Sequence, residues 1–107
     1  MGAASNLTTA EFEQSVKSSK GVSVLDFGAS WCGPCQALAP AFEKLASEYQ
    51  GRAKLFKIDV DAEGDLAAQF DVMSVPTVVF LKDGETKARI QGNYPDKIRA
   101  QIDALLG

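Results

Sequence analysis

The sequence predicts an α/β fold, a mixed central sheet of four to five strands flanked by helices on both faces. Three observations predict it. Two β-rich and nearly all-apolar runs, "VSVLDF" (22–27) and "AKLFKIDV" (53–60), have the look of strands covered on both sides. Segments with helical apolar spacing alternate with them, which implies parallel strands joined by crossover helices. A later β-rich segment turns back at Asp83-Gly84, the dipeptide favoured in two-residue hairpins, and so adds antiparallel strands.

Each element has its own local reason. A short strand is expected before Thr8. Thr8 and Glu11 fit a capping box, and Leu7 and Phe12 fit a hydrophobic staple, so a helix opens there. Phe12 and Val16 share one face of it, and Gly21 is expected to end it. After "VSVLDF", the positions Leu38, Ala41, Phe42, Leu45 and Tyr49 keep helical spacing from Cys32 onward. Pro40 falls inside that helix, where a lost hydrogen bond and crowding against Gln36 predict a kink. Beyond "AKLFKIDV", Asp61 is expected to cap a short helix bearing Leu66, Ala67 and Phe70. "TVVFLKDGETKARIQG" (77–92) forms the hairpin, and a last helix opens at Pro95 to bury Ile98, Ile102, Leu105 and Leu106.

Size and composition bound the function. A chain of 107 residues suffices for one core and one domain, residues 1–107. A net charge of -3, with no basic run, argues against nucleic acid as a partner. No stretch has the length of a signal peptide's apolar region or of a membrane span. Gly2 follows Met1, but the acylation motif wants Ser or Thr where Asn6 stands. The expectation is a cytoplasmic protein acting as a monomer, away from membranes.

The only two cysteines sit in "SWCGPC" (30–35). Cys32 at the N-cap would place its sulfur where the free N–H groups of the first helical turn point, with Cys35 N–H the natural donor. The helix dipole favours a thiolate there. Residues i and i+3 of a first turn are close enough for a disulfide, Gly33 relieves crowding and Pro34 fixes φ. One sulfur attacks and the other resolves, and Cys35, pointing inward, is expected to be the less exposed thiol.

Other uses of the pair fail on chemistry. A two-residue loop makes a weak structural staple. A structural zinc needs four ligands, and there is no histidine and no third cysteine, so no metal is expected. The Gly28–Gly33 spacing mimics a phosphate loop, but Pro34 stands where lysine must be. No bound cofactor is indicated. Asp26 falls on the apolar face of its strand with Val22 and Val24, where burial would raise its pKa. Lys57 interrupts its strand in a similar way, sharing a face with Leu55, where a snorkelling lysine is the commoner case. Trp31, directly before the first cysteine, is expected to pack beside it and meet substrate.

"WCGPC", "FKIDVD", "SVPT" and the distal Gly92, in this order and spacing, resemble the thioredoxin family along nearly the whole chain. The resemblance implies a thioredoxin fold and a redox-active disulfide between Cys32, the nucleophile, and Cys35, the resolving thiol. It implies that Pro76, after Val75, is a cis proline facing them. It places Asp26 beneath Cys35 as proton acceptor, with Lys57 nearby to moderate its charge. Trp31, Gly33, Pro34, Val75, Pro76 and Gly92 would then meet substrate, Gly92 by letting a backbone approach.

The implied partners are disulfide-bonded proteins and a separate thioredoxin reductase. Gly-Pro supplies no cation to hold a thiolate, so the pair is expected to reduce rather than oxidise. The alternative is a binding module of the same fold that grips a partner without turnover. Departures from the family pattern are Gly28, where a tryptophan is usual, Gln36 in place of a basic residue, and Tyr94.

Overall fold

The computed structural model describes residues 3–107, so Gly2 lies outside the described residues. The elements run β1 (Ser5–Asn6), α1 (Thr9–Phe12) continuing as a π-helical turn (Glu13–Lys17), β2 (Val22–Gly28) and α2 (Gly33–Glu48). They continue with β3 (Ala53–Asp59), α3 (Gly64–Gln69), β4 (Thr77–Lys82), β5 (Glu85–Gln91) and α4 (Pro95–Leu106).

The expected start of the first helix is present in full. Thr8 caps it by accepting from Glu11 N, while the Glu11 carboxylate accepts from Thr8 N at 3.1 Å. Leu7 and Phe12 are buried in one apolar cluster, as the staple requires. The end differs from expectation. The helix closes at Lys17 through a wide turn, with Ser18 N–H bonded to the Glu13 carbonyl, and the chain then reaches Gly21 in a left-handed conformation. Two successive serines, both weak helix formers, follow the turn. The cap of α3 also differs: it is Glu63, because Asp61 is engaged elsewhere.

The five strands form one sheet in the order β1-β3-β2-β4-β5. β1 and β2 both run parallel to β3, while β4 runs antiparallel to β2 and β5 to β4. Alternation along the strands splits the core in two. Val22, Val24, Leu55, Val78 and Phe80 face Leu38, Phe42 and Leu45 of α2 and Ile98 and Ile102 of α4. Leu25, Phe27, Ile58 and Val79 face Phe12, Val16 and the α3 residues Leu66 and Ala67.

The hairpin turn carries positive φ at both central residues, 52° at Asp83 and 81° at Gly84, the signature of a type I′ turn. The Asp83 carboxylate accepts from Gly21 N at 2.7 Å, tying the turn to the start of β2. A Cβ on Gly84 would collide with the Lys17 carbonyl oxygen. Gly84→Ala is therefore expected to cost roughly 2 kcal/mol or more, left-handed strain plus the clash, read as a lower urea midpoint at unchanged slope.

Register positions the site. Asp26 of β2 pairs across the ladder with Lys57 of β3, and Gly28 with Asp59, at the ends of the two central strands. The chain leaves β2 at Gly28 and enters α2 at Gly33, so the cysteine motif crosses the strand-to-helix junction.

Candidate active site

Cys32 occupies the N-cap of α2 with extended backbone (φ -93°, ψ 114°), and Pro34 lies at the second helical position, where its missing N–H costs nothing. The amide of Cys35 donates to the Cys32 sulfur at 3.2 Å. The Cys32 thiol in turn donates to the Val75 carbonyl at 3.7 Å. The Val75-Pro76 peptide is cis. Both cysteines are free thiols.

Exposure reverses the sequence expectation. Cys32 is buried, at 5% exposure, whereas Cys35 is partly open. The Val75–Pro76 loop covers the first sulfur. Gly28 uncovers the second: a Cβ there would stand 3.3 Å from the Cys35 Sγ, so any side chain would close over it. A cavity of about 380 Å³ occupies the space beside it. Burial, first, and then the neighbouring Cys32 sulfur and the Asp26 charge push the Cys35 thiol up to about 12.

Asp26 lies in the wall of the same cavity and is buried, with Oδ1 lacking any hydrogen-bond partner. Burial pushes its carboxyl up from 3.8 to about 6, against the opposing pull of Lys57. Lys57 also lines the cavity but pairs with Glu43 of α2 at 3.0 Å. Glu43 accepts from Ala4 N through its other oxygen, and Lys57 and these hydrogen bonds hold its pKa low despite the cost of burial. The sequence reading missed Glu43. Its signal is positional: Cys35, Ala39 and Glu43 fall at i, i+4 and i+8, one stripe of α2.

Trp31 is 68% exposed and fastened at its edge, Nε1 donating to the Asp61 carboxylate at 2.8 Å. That contact is what draws Asp61 from its expected cap. Met73 and Tyr94 are likewise exposed apolar side chains, and Trp31, Met73 and Val75 line one shallow groove. Gly92 has φ 106°, and a Cβ there would stand 2.6 Å from the Tyr94 ring, so the glycine is required for the ring to lie over it. Gln36 spends its amide on the Ser30 carbonyl at 2.6 Å. The structure thus brings Asp26, Lys57 and Cys35 together on one side of the helix start, and Trp31, Val75 and Cys32 on the other.

A redox dithiol at a strand-to-helix junction opposite a cis proline, on this sheet order, can be set beside known proteins. The model of the family described as Thioredoxin matches residues 3–104. The chain belongs to the thioredoxin family. Thioredoxins of Staphylococcus aureus and Staphylococcus saprophyticus are each 42% identical to it over 96 residues, 90% of either chain. The solved thioredoxin of Malassezia sympodialis superposes with a TM-score of 0.90 at 31% identity, covering 100% of this chain and 94% of that one.

With the Cys32–Cys35 pair in place, this thioredoxin-family chain is a thiol–disulfide oxidoreductase of the disulfide-reductase kind. Its partners are proteins with which it exchanges redox equivalents. Among the described residues no group of three or more His, Cys, Asp or Glu side chains could hold a metal ion, and no helix is long and apolar enough to cross a membrane.

Proposed function

We propose that Cys32 attacks protein disulfides, that Cys35 resolves the mixed disulfide, and that Asp26 takes the Cys35 proton. The observation that carries this division of labour is the asymmetric hydrogen bond. Cys35 N–H donates to the Cys32 sulfur at 3.2 Å, so charge on Cys32 is met by a donor already in place. Cys35 has the opposite surroundings, with its thiol pushed up to about 12. At neutral pH only about one part in 10⁵ of such a thiol is ionised, so it cannot be the first attacker.

In the first step the Cys32 thiolate attacks one substrate sulfur and the other leaves as a thiolate. In the second, Cys35 attacks Cys32 as its proton passes toward the Asp26 carboxylate, and the second substrate thiolate departs. The substrate disulfide is reduced by two electrons and Cys32–Cys35 is oxidised. Trp31, Gly33, Pro34, Val75 and Pro76 are the surface beside Cys32 that meets substrate, with Gly92 joined to it through its N–H bond to the Pro76 carbonyl. Gly33-Pro34 places no cation between the sulfurs, which favours the reducing direction. A separate reductase of the thioredoxin-reductase type returns the dithiol, and the working compartment is the cytoplasm.

Cys35→Ser tests the roles. Stable mixed disulfides with protein substrates, all through Cys32, are expected on non-reducing gels and by peptide mapping. Adducts through residue 35 cannot form in this variant, so the absence of any adduct, while wild type reduces the same substrates, would overturn the assignment. Replacing both cysteines separates turnover from binding: a chain acting only as a binding module would keep its full function.

A further inference from the structure

The titratable groups around the Asp26 carboxyl are Lys57 and Asp59 of β3 and Cys35 of α2, while Asn6 of β1 and Val78 of β4 are uncharged. Lys57 is the ladder partner of Asp26, and both line the same cavity. Asp26 Oδ1 is nevertheless buried without a hydrogen-bond partner, while the ammonium is engaged by Glu43 Oε1 at 3.0 Å. The Glu43 carboxylate is itself fixed, since its other oxygen accepts from Ala4 N–H at 3.2 Å. Against the cost of burial, Lys57 and the Ala4 amide hold its pKa low and keep it charged. Asp59, the other carboxylate in the cavity, already accepts from Asp61 N–H at 2.9 Å. Asp26 is therefore the unfilled acceptor beside Lys57, and Glu43 is what the ammonium meets instead.

We propose that Glu43 is a positioning residue for the resolving step: it holds the Lys57 ammonium against α2, so that the Asp26 carboxyl stays unpaired and able to take the Cys35 proton. The inference rests on the dithiol cycle above, in which Asp26 receives that proton as Cys35 attacks Cys32. A carboxylate paired directly with an ammonium is held in its ionised form and becomes a weak base. A useful base titrates near the working pH. Burial brings Asp26 there, to about 6, against the pull of Lys57, and a closer Lys57 would undo it. Glu43 lies two turns along the helix stripe from Cys35 and does not line the cavity, so it acts through Lys57. Removing its charge works in one direction on two counts. A nearby negative charge is lost, and the freed ammonium turns to the unfilled Asp26 oxygen. Both lower the Asp26 pKa.

The test is an NMR titration of the Asp26 carboxyl carbon in the reduced full-length protein, which reads the group directly. Glu43→Gln is expected to move its midpoint down by about half a pH unit or more. In a Lys57→Met background the same substitution should move it less than half as far, because the ammonium that Glu43 holds is gone. A midpoint that stays or rises in Glu43→Gln overturns the proposal, and so does a shift undiminished in the Lys57→Met background. Glu43→Met, which removes the charge without adding an amide, takes the place of Glu43→Gln should that variant fold poorly. A purely structural Glu43 would lower the urea midpoint and leave the Asp26 titration where it is. The pH inflection in the rate of resolution should follow the titration downward. An Asp26→Asn variant whose resolution kept the wild-type pH profile would instead overturn the proton transfer itself, while the titration still reads whether Glu43 restrains Lys57.

Discussion

Cys32→Ser is expected to lower protein-disulfide reduction by at least about 10³-fold, because a serine hydroxyl does not ionise at neutral pH and Cys35 cannot take its place. Burial, and after it the Asp26 charge, still hold the surviving thiol above its ordinary value once the Cys32 sulfur is gone. That thiol also lines the pocket beside Asp26 and not the Trp31–Val75 groove. The measurement is single-turnover reduction of a disulfide-bonded protein followed by thiol release. Retention of more than a few per cent of the wild-type rate would show that Cys35 can attack unaided. Folding should be little affected, since serine can still cap α2 by accepting the Cys35 amide.

Asp26→Asn is expected to raise stability and slow turnover at once. Burial raises the folded-state carboxyl from its ordinary 3.8 to about 6. A carboxyl raised in this way opposes folding when charged. The penalty is absent below about pH 4, where both states hold the proton, and grows as pH rises toward 6. Above pH 6 it approaches about 3 kcal/mol, two pKa units at 1.36 kcal/mol each with the remainder. Asparagine removes it, so urea unfolding at pH 8 should show a gain of up to that size and at pH 4 almost none. A gain equal at both pH values would mean that packing, not charge, was at fault.

The same substitution removes the proton acceptor of the resolving step. General bases contribute about 10²–10⁴-fold, but solvent reaches Cys35 through the cavity, so a loss nearer tenfold is expected. The inflection near pH 6 in the rate of resolution should vanish with it. Lys57→Met should move that inflection upward instead, because Lys57 is the charge that lowers the Asp26 pKa. An unaltered pH profile in Asp26→Asn would remove Asp26 from the mechanism.

Much of this is legible in the sequence. The caps at Thr8 and Cys32, the Asp83-Gly84 turn and the apolar spacing of the helices are local matters, decided by neighbours in the chain. The central strands declared themselves because both faces are covered, leaving runs that no exposed strand would carry. Asp61 shows where this kind of inference stops. Its spacing suits a helix cap, yet Trp31, thirty residues away, claims its carboxylate. Glu43 was hidden for a like reason, as nothing near it in the chain announces the Lys57 ammonium it meets.

The sequence by itself determined the redox chemistry, since two cysteines at a helix start with no histidine leave little else to be made of them. It also determined which sulfur receives the helix-start amide, a relation confined to three residues. Only the tertiary structure decided which sulfur is covered. Exposure depends on what lies opposite: the Val75 carbonyl closes over Cys32, and the missing side chain at Gly28 opens Cys35. Val75 is distant in the chain and is brought opposite Cys32 by the antiparallel packing of β4 on β2, whereas Gly28 ends β2 and meets Cys35 where the chain turns into α2.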